Sequence, residues 1–300
     1  LISTFADLKE DNKTIIKLTH YKYKEGTDKL ESCKILAEDK SATMQWFRDD
    51  ETLDCQQFIK NSKVTETDWF FEDGKTIKTV HIPQENGGLE RSSYDKEGKI
   101  IVSDITKPDK KTVEETTNYY YKDNSNNYYK TKTVYDTNKT IDAWYNDDEV
   151  TTCEIFSEND KKTKTVWYFE DGETPNIEEL YLEDGRTQKV TMDKDGRWQD
   201  FTEFSADGSL SKITNYIYVN ESEVPHSSVT KHSDGKKETV WYDDKENMTC
   251  RRTEKDDTLT KLEWFYEDGE TPKLVHNYTP DGKFTAQSFD KEGNPEKLSA

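Results

Sequence analysis

The chain is written in short runs of about six to eight residues rich in Val, Thr, Tyr, Phe and Trp, separated by polar punctuation. Between residues 163 and 213 the punctuation is Asp-Gly, at 171–172, 184–185, 195–196 and 207–208. Asp-Gly supplies positive φ angles, so each pair predicts a tight hairpin turn between two strands. No apolar stripe with a 3.6-residue period runs far enough to predict a helix. The pattern therefore predicts an antiparallel meander of about twenty-four strands.

The pattern also repeats. Trp69, Trp167 and Trp264 are 98 and 97 residues apart, and Trp46, Trp144 and Trp241 keep the same separations. So do Cys55, Cys153 and Cys250, Tyr21, Tyr119 and Tyr216, and Gly74, Gly172 and Gly269. Five landmarks in step predict three tandem units, at 1–98, 99–196 and 197–293, with a partial unit at 294–300. The missing residue of the third copy lies between Gly196 and Tyr216. Inside each unit a period of about 24 residues marks four sub-repeats, twelve in all. They open in turn on Tyr-x-Tyr, on Trp followed by Phe or Tyr, on the phrase "WFYEDGETPK" and its relatives, and on "YDKEG", "MDKDG" or "FDKEG".

One such hairpin is marginal in water, whereas neighbours stacked side by side satisfy each other's strand edges. The expected fold is all-β: tandem antiparallel β-hairpin repeats in one continuous array over 1–300, forming an elongated or spiralling sheet. Residues 1–20 align with 99–118 and residues 289–300 supply only the head of a further sub-repeat. The alternative is therefore a six-bladed β-propeller closed by its two ends, with about 49 residues per blade. Low hydrophobicity and 13 Gly favour the open sheet.

Composition sharpens this picture. Only 31% of residues are hydrophobic, 35% are charged, and the mean hydropathy is −1.12. Such values are a signature of disorder, but 7 Trp, 17 Tyr and 12 Phe are far too many for a solvated coil. A thin, ordered, aromatic-rich protein satisfies both observations. The net charge of −20 repels phosphate backbones, which argues against a nucleic-acid partner. No apolar run approaches the length of a membrane span, so no membrane insertion is expected.

The phrases "SYDKEGKI" (93–100) and "SFDKEGNPEKL" (288–298) resemble the Tyr-Asp (YD-type) repeats of the RHS family. The period and the aromatic-x-x-Asp-Gly heads are also similar to bacterial MORN-type repeats. The RHS resemblance implies a wound β-sheet shell, and the MORN-like one an elongated hairpin sheet used for binding or scaffolding. The chain lacks the second Gly of MORN units and the self-cleaving core-end motif of RHS shells, so neither family's activity transfers.

The candidate binding residues are the tryptophans Trp46, Trp69, Trp144, Trp167, Trp198, Trp241 and Trp264, whose rings can stack on sugars or on side chains of an extended partner. The competing reading makes them the packing ladder of the sheet; Trp198 alone stands outside the ladder. The acidic turns at Asp73, Asp171, Asp193, Asp195 and Asp268 lack the ligand order of a calcium loop, and the five histidines have no metal-ligand spacing. No metal or other cofactor is expected, and no nucleophile, phosphate-loop or metalloprotease motif occurs.

Cys33, Cys55, Cys153 and Cys250 read as thiols, with Cys33 and Cys55 able to meet across neighbouring hairpins. The expectation is a non-enzymatic β-repeat scaffold that offers an acidic, aromatic surface to a protein or glycan partner, with further repeats of the same chain as another partner. Its location would be extracellular or at the cell surface, or else cytoplasmic. A carbohydrate-binding adhesin module and an RHS-like shell segment of a toxin system are the alternatives.

Overall fold

The computed structural model describes residues 2–8, 15–123 and 125–296. It is all-β: 25 strands follow one another along the chain, and there is no helix among the described residues. The chain divides into two compact units, Leu1–Glu149 with Glu158–Asp160, and Val150–Ser157 with Lys161–Ala300.

In the first unit, twelve strands from Ile2–Leu8 to Lys139–Tyr145 each pair antiparallel with the next. In the second, the same holds for the twelve strands from Lys161–Tyr168 to Pro295–Glu296. Propeller blades would break the ladder after every fourth strand. Neither run breaks, so the propeller alternative is set aside. Within each unit the described strands touch only their sequence neighbours, so each unit is a single layer with two wet faces.

A single layer cannot hide apolar side chains on either face, and the burial pattern reflects this. The buried hydrophobic residues are few and small: Phe70 is the largest, beside Cys33, Ala42, Ala143, Val166, Val190 and Val275. Buried threonines, serines and glutamates outnumber them, and several are bonded across the ladder. Thr117 and Thr133 share a 2.8 Å hydroxyl bond, and Thr214 and Thr230 repeat it 97 residues later. Glu263, only 3% exposed, accepts from Arg251 (2.7 Å) and pairs with Lys261 (2.7 Å). Cross-strand pairs of this kind take the place of a core.

The turns correct one expectation. In the Asp-Gly turns only the glycine has positive φ (Gly74 +64°, Gly172 +72°, Gly269 +71°). Gly74 N–H donates to the Phe71 carbonyl (3.0 Å), while the Asp73 carboxylate accepts from the backbones of Lys75 and Thr76, 2.9 Å each. These are wider turns closed by an aspartate cap. The two-residue turns with both residues left-handed carry no glycine: Asn61-Ser62 closes Lys60 onto Lys63, and Asp256-Asp257 closes Lys255 onto Thr258. Asn and Asp tolerate that region through their own local hydrogen bonds.

Candidate functional site

Paired residues in an antiparallel ladder point to the same side, which assigns the tryptophans to faces. In the first unit Trp46 pairs with Cys55 and Cys55 with Trp69. The row continues from Trp69 through Thr79, Ser93, Val102 and Asn118 to Lys132 and Asp142, which shares its strand face with Trp144. Trp46, Trp69 and Trp144 thus lie on one face of the first unit. By the same construction Trp167, Trp241 and Trp264 share one face of the second. All six are half-buried.

Their surroundings explain this. Trp69 and Trp264 each pack on a histidine, His81 at 4.2 Å and His276 at 5.0 Å between ring centroids. Lys130 lies over Trp144 at 4.7 Å. Burial and the nearby Arg91 hold the His81 imidazole below its usual pKa. All four cysteines are free thiols. Cys33 pairs with Tyr21 and Gln45 on the face opposite Cys55, so the two do not meet.

Trp198 differs from the other six. A bulge between Thr191 and Met192 turns its strand, and its ring, 46% exposed, stands 6.1 Å from Tyr216 and stacks on Phe201. Together with Tyr216, Tyr218, Pro225 and Tyr242 it walls an open cleft of about 550 Å³ in the second unit. Asp195, Arg197, Glu223 and Glu246 form the rim. Tyr218 donates its hydroxyl to the Trp198 carbonyl (3.0 Å), and Arg197 lies over the Tyr218 ring at 5.3 Å. Arg197 is itself held by Asp193 and Asp195, at 2.8 and 3.0 Å.

The first unit repeats the arrangement 97–98 residues earlier. Tyr94, Tyr121, Tyr128 and Ile100 wall a cleft of about 400 Å³, with Glu97, Lys99 and Glu149 at its rim. Tyr121 donates to the Ile100 carbonyl (3.0 Å), and Lys99 lies over the Tyr121 ring at 5.4 Å. Tyr128 meets Tyr119, Tyr121 and Tyr145 edge-on at 5.4, 6.3 and 4.8 Å. Burial, with Glu149 among the nearby charges, pushes the Tyr121 and Tyr128 hydroxyls above their usual pKa. Burial does the same at Tyr216 and Tyr218.

The loop after each Tyr-x-Tyr head builds the far wall in the same way in both copies. Ser125 donates to the Asn127 carbonyl, and Ser222 to that of Val224, both at 2.9 Å. The cation of each rim reaches back to the loop, Lys99 to the Ser125 carbonyl (2.6 Å) and Arg197 to that of Ser222 (3.4 Å).

Of the seven tryptophans singled out by sequence, Trp198 lines the aromatic cleft of the second unit, and Trp69 lines a separate cleft of about 450 Å³ with Arg48, Asp54 and His81. The tyrosines and the two repeat-equivalent glutamates, Glu149 and Glu246, are what sequence reading missed. A signal was present: in the second-type sub-repeats Glu51, Glu149 and Glu246 stand where the third-type turns place Gly74, Gly172 and Gly269. The acidic turn residues Asp73, Asp171 and Asp268 are engaged in capping, and no His, Cys, Asp and Glu cluster able to hold a metal occurs among the described residues.

No family model matches the chain, and no curated protein does. Among solved structures, the chain is similar to the TcdB2-TccC3-Cdc42 complex at 11% identity and a TM-score of 0.19, covering 97% of this chain and 17% of that one. It is also similar to a porin-like protein from Bacteroides uniformis, at 10% identity and a TM-score of 0.19, covering 94% and 93%. At these TM-scores neither carries an argument about this chain. Neither bears on the MORN-like wording, and neither transfers a function.

Proposed function

We propose that this β-repeat protein is a non-enzymatic binding scaffold whose partner inserts side chains or rings into the recurring aromatic clefts. One observation carries the reading: the same cleft, with the same tyrosine-to-carbonyl bond, the same stacked cation and the same rim glutamate, occurs in both units. Two copies suit a multivalent binder, in which linked weak sites add avidity without new contacts. Open aromatic depressions suit recognition more than chemistry, and we assign no catalytic step. The place of action we propose is the cell surface.

A panel of basic, acidic and neutral peptides and of neutral and acidic oligosaccharides tests this, read by tryptophan emission and tyrosine-ring NMR. We expect one class to perturb the rings of both clefts together. If no class perturbs either cleft, or one responds and the other stays silent, the reading is lost. A second reading, a carbohydrate-binding module, draws on Trp198, whose exposed face adjoins both a guanidinium and a carboxylate. Quenching by a neutral glycan that vanishes in Trp198→Phe would favour it.

A further inference from the structure

Resting on that reading, we propose that the clefts take cationic side chains, lysine or arginine, of an extended basic segment of the partner. Glu149 has φ +61° and Glu246 has φ +67°, the left-handed region that a side chain with a Cβ avoids and glycine occupies freely. Their turns are built like the Gly turns: Glu149 N–H donates to the Asn146 carbonyl and Glu246 N–H to that of Asp243, both at 3.1 Å, as Gly74 N–H does to Phe71. Glycine would make the same turn with less strain. Glu51 has the same backbone in the first repeat, φ +62°, but its carboxylate is engaged by the Leu30 backbone. What singles out Glu149 and Glu246 is that each lines an aromatic cleft, and strained residues often cluster at binding sites.

Each of these glutamates lines the mouth of an aromatic cleft. Carboxylates outnumber cations in each cleft: Glu97 and Glu149 against Lys99, and Asp195, Glu223 and Glu246 against Arg197, which is itself paired with Asp193 and Asp195. The walls are ring faces, which attract cations through their quadrupole. Each cleft already shows the geometry in miniature, with its own cation over Tyr121 or Tyr218. An aromatic cage with a carboxylate at its lip, in a chain of net charge −20, is complementary to a positive side chain, and the field of the chain draws a basic segment towards it.

The probe is a blocked octapeptide of alternating lysine and glycine, titrated at low and moderate salt and followed by tyrosine-ring NMR. We expect Tyr121, Tyr128, Tyr216 and Tyr218 to shift together, with affinity falling as salt rises. Glu149→Gln with Glu246→Gln should weaken binding at least tenfold. Glu149→Gly with Glu246→Gly should weaken it equally while leaving the thermal midpoint unchanged or higher, which a merely structural role for the glutamates would not do. Glu170→Gln with Glu267→Gln removes the same charge from two exposed turns outside the clefts and should leave affinity unchanged.

Equal weakening by that control pair would mean bulk charge attraction and would overturn the proposal. Absence of peptide binding would overturn it as well. If a neutral oligosaccharide then shifts the same rings, the cleft reading survives without its cationic occupant; if nothing shifts them, both fall.

Discussion

The first repeat contains the same turn and the same Tyr-x-Tyr head as the second and third, yet its lining is different. Leu30 stands at the position of Tyr128 and Pro225, and Phe47 at that of Tyr145 and Tyr242. Glu51 has the same left-handed backbone, φ +62°, but its carboxylate accepts from the Leu30 backbone at 3.3 Å. In the later copies the corresponding hydroxyls are bonded to one another, Thr131 to Tyr145 at 3.1 Å and Ser228 to Tyr242 at 3.0 Å. The comparison separates two tasks. The repeat dictates backbone, bulge and turn, whereas a handful of side chains decides whether a carboxylate faces a cleft or binds the backbone of a preceding strand.

The largest expected effect comes from converting one case into the other. Leu30→Tyr with Phe47→Tyr should add a binding site, raising the stoichiometry for the Lys-Gly octapeptide from two to three by calorimetry. Unchanged stoichiometry would mean that the lining is not what separates the copies.

Exchanging residues at the left-handed turn position sharpens the strain argument. Gly269→Ala forces a Cβ to within 2.8 Å of the Met248 backbone nitrogen at φ +71°, and should lower stability by about 1–3 kcal/mol in urea unfolding. Glu246→Gly at the equivalent position should do the opposite, raising stability by about 0.5–1 kcal/mol. Loss of stability in that variant would remove the claim that Glu246 is retained against the preference of its turn.

Acid should act on both kinds of turn alike, and least. The Thr76 hydroxyl and the Lys75 and Thr76 amides hold the Asp73 carboxyl down at about 2. Thr271 and its neighbours depress Asp268, and the Asn247 backbone is the leading influence lowering Asp243. A carboxylate with a depressed folded pKa contributes stability that is complete above its unfolded value, near 3.9, and is lost as pH falls through the folded one. The unfolding midpoint should therefore be flat down to about pH 4 and decline between there and about pH 2. Asp73→Asn should blunt part of that decline, which circular dichroism against pH would reveal.

The strands, their order and the spacing of the repeated landmarks were legible in the sequence because each depends on local rules. A two-residue alternation makes a strand, a turn residue ends it, and a recurring aromatic head marks the next hairpin. Those rules assign Trp46 and Trp69 to equivalent places without reference to anything distant. The local rules were insufficient where two elements had to be set against each other. The sequence shows Glu149 and Tyr128, or Glu246 and Trp198, 21 and 48 residues apart, with nothing to join them. Register joins them: bulges at Thr191/Met192 and Tyr120/Tyr121 change which way the following side chains point. That choice belongs to strand pairing. The sequence alone thus determined the repeat and where its turns fall, whereas the structure decided the type of those turns, and that six tryptophans share a face in threes while Trp198 joins the tyrosines. Face assignment is a property of paired strands, and no single strand carries it.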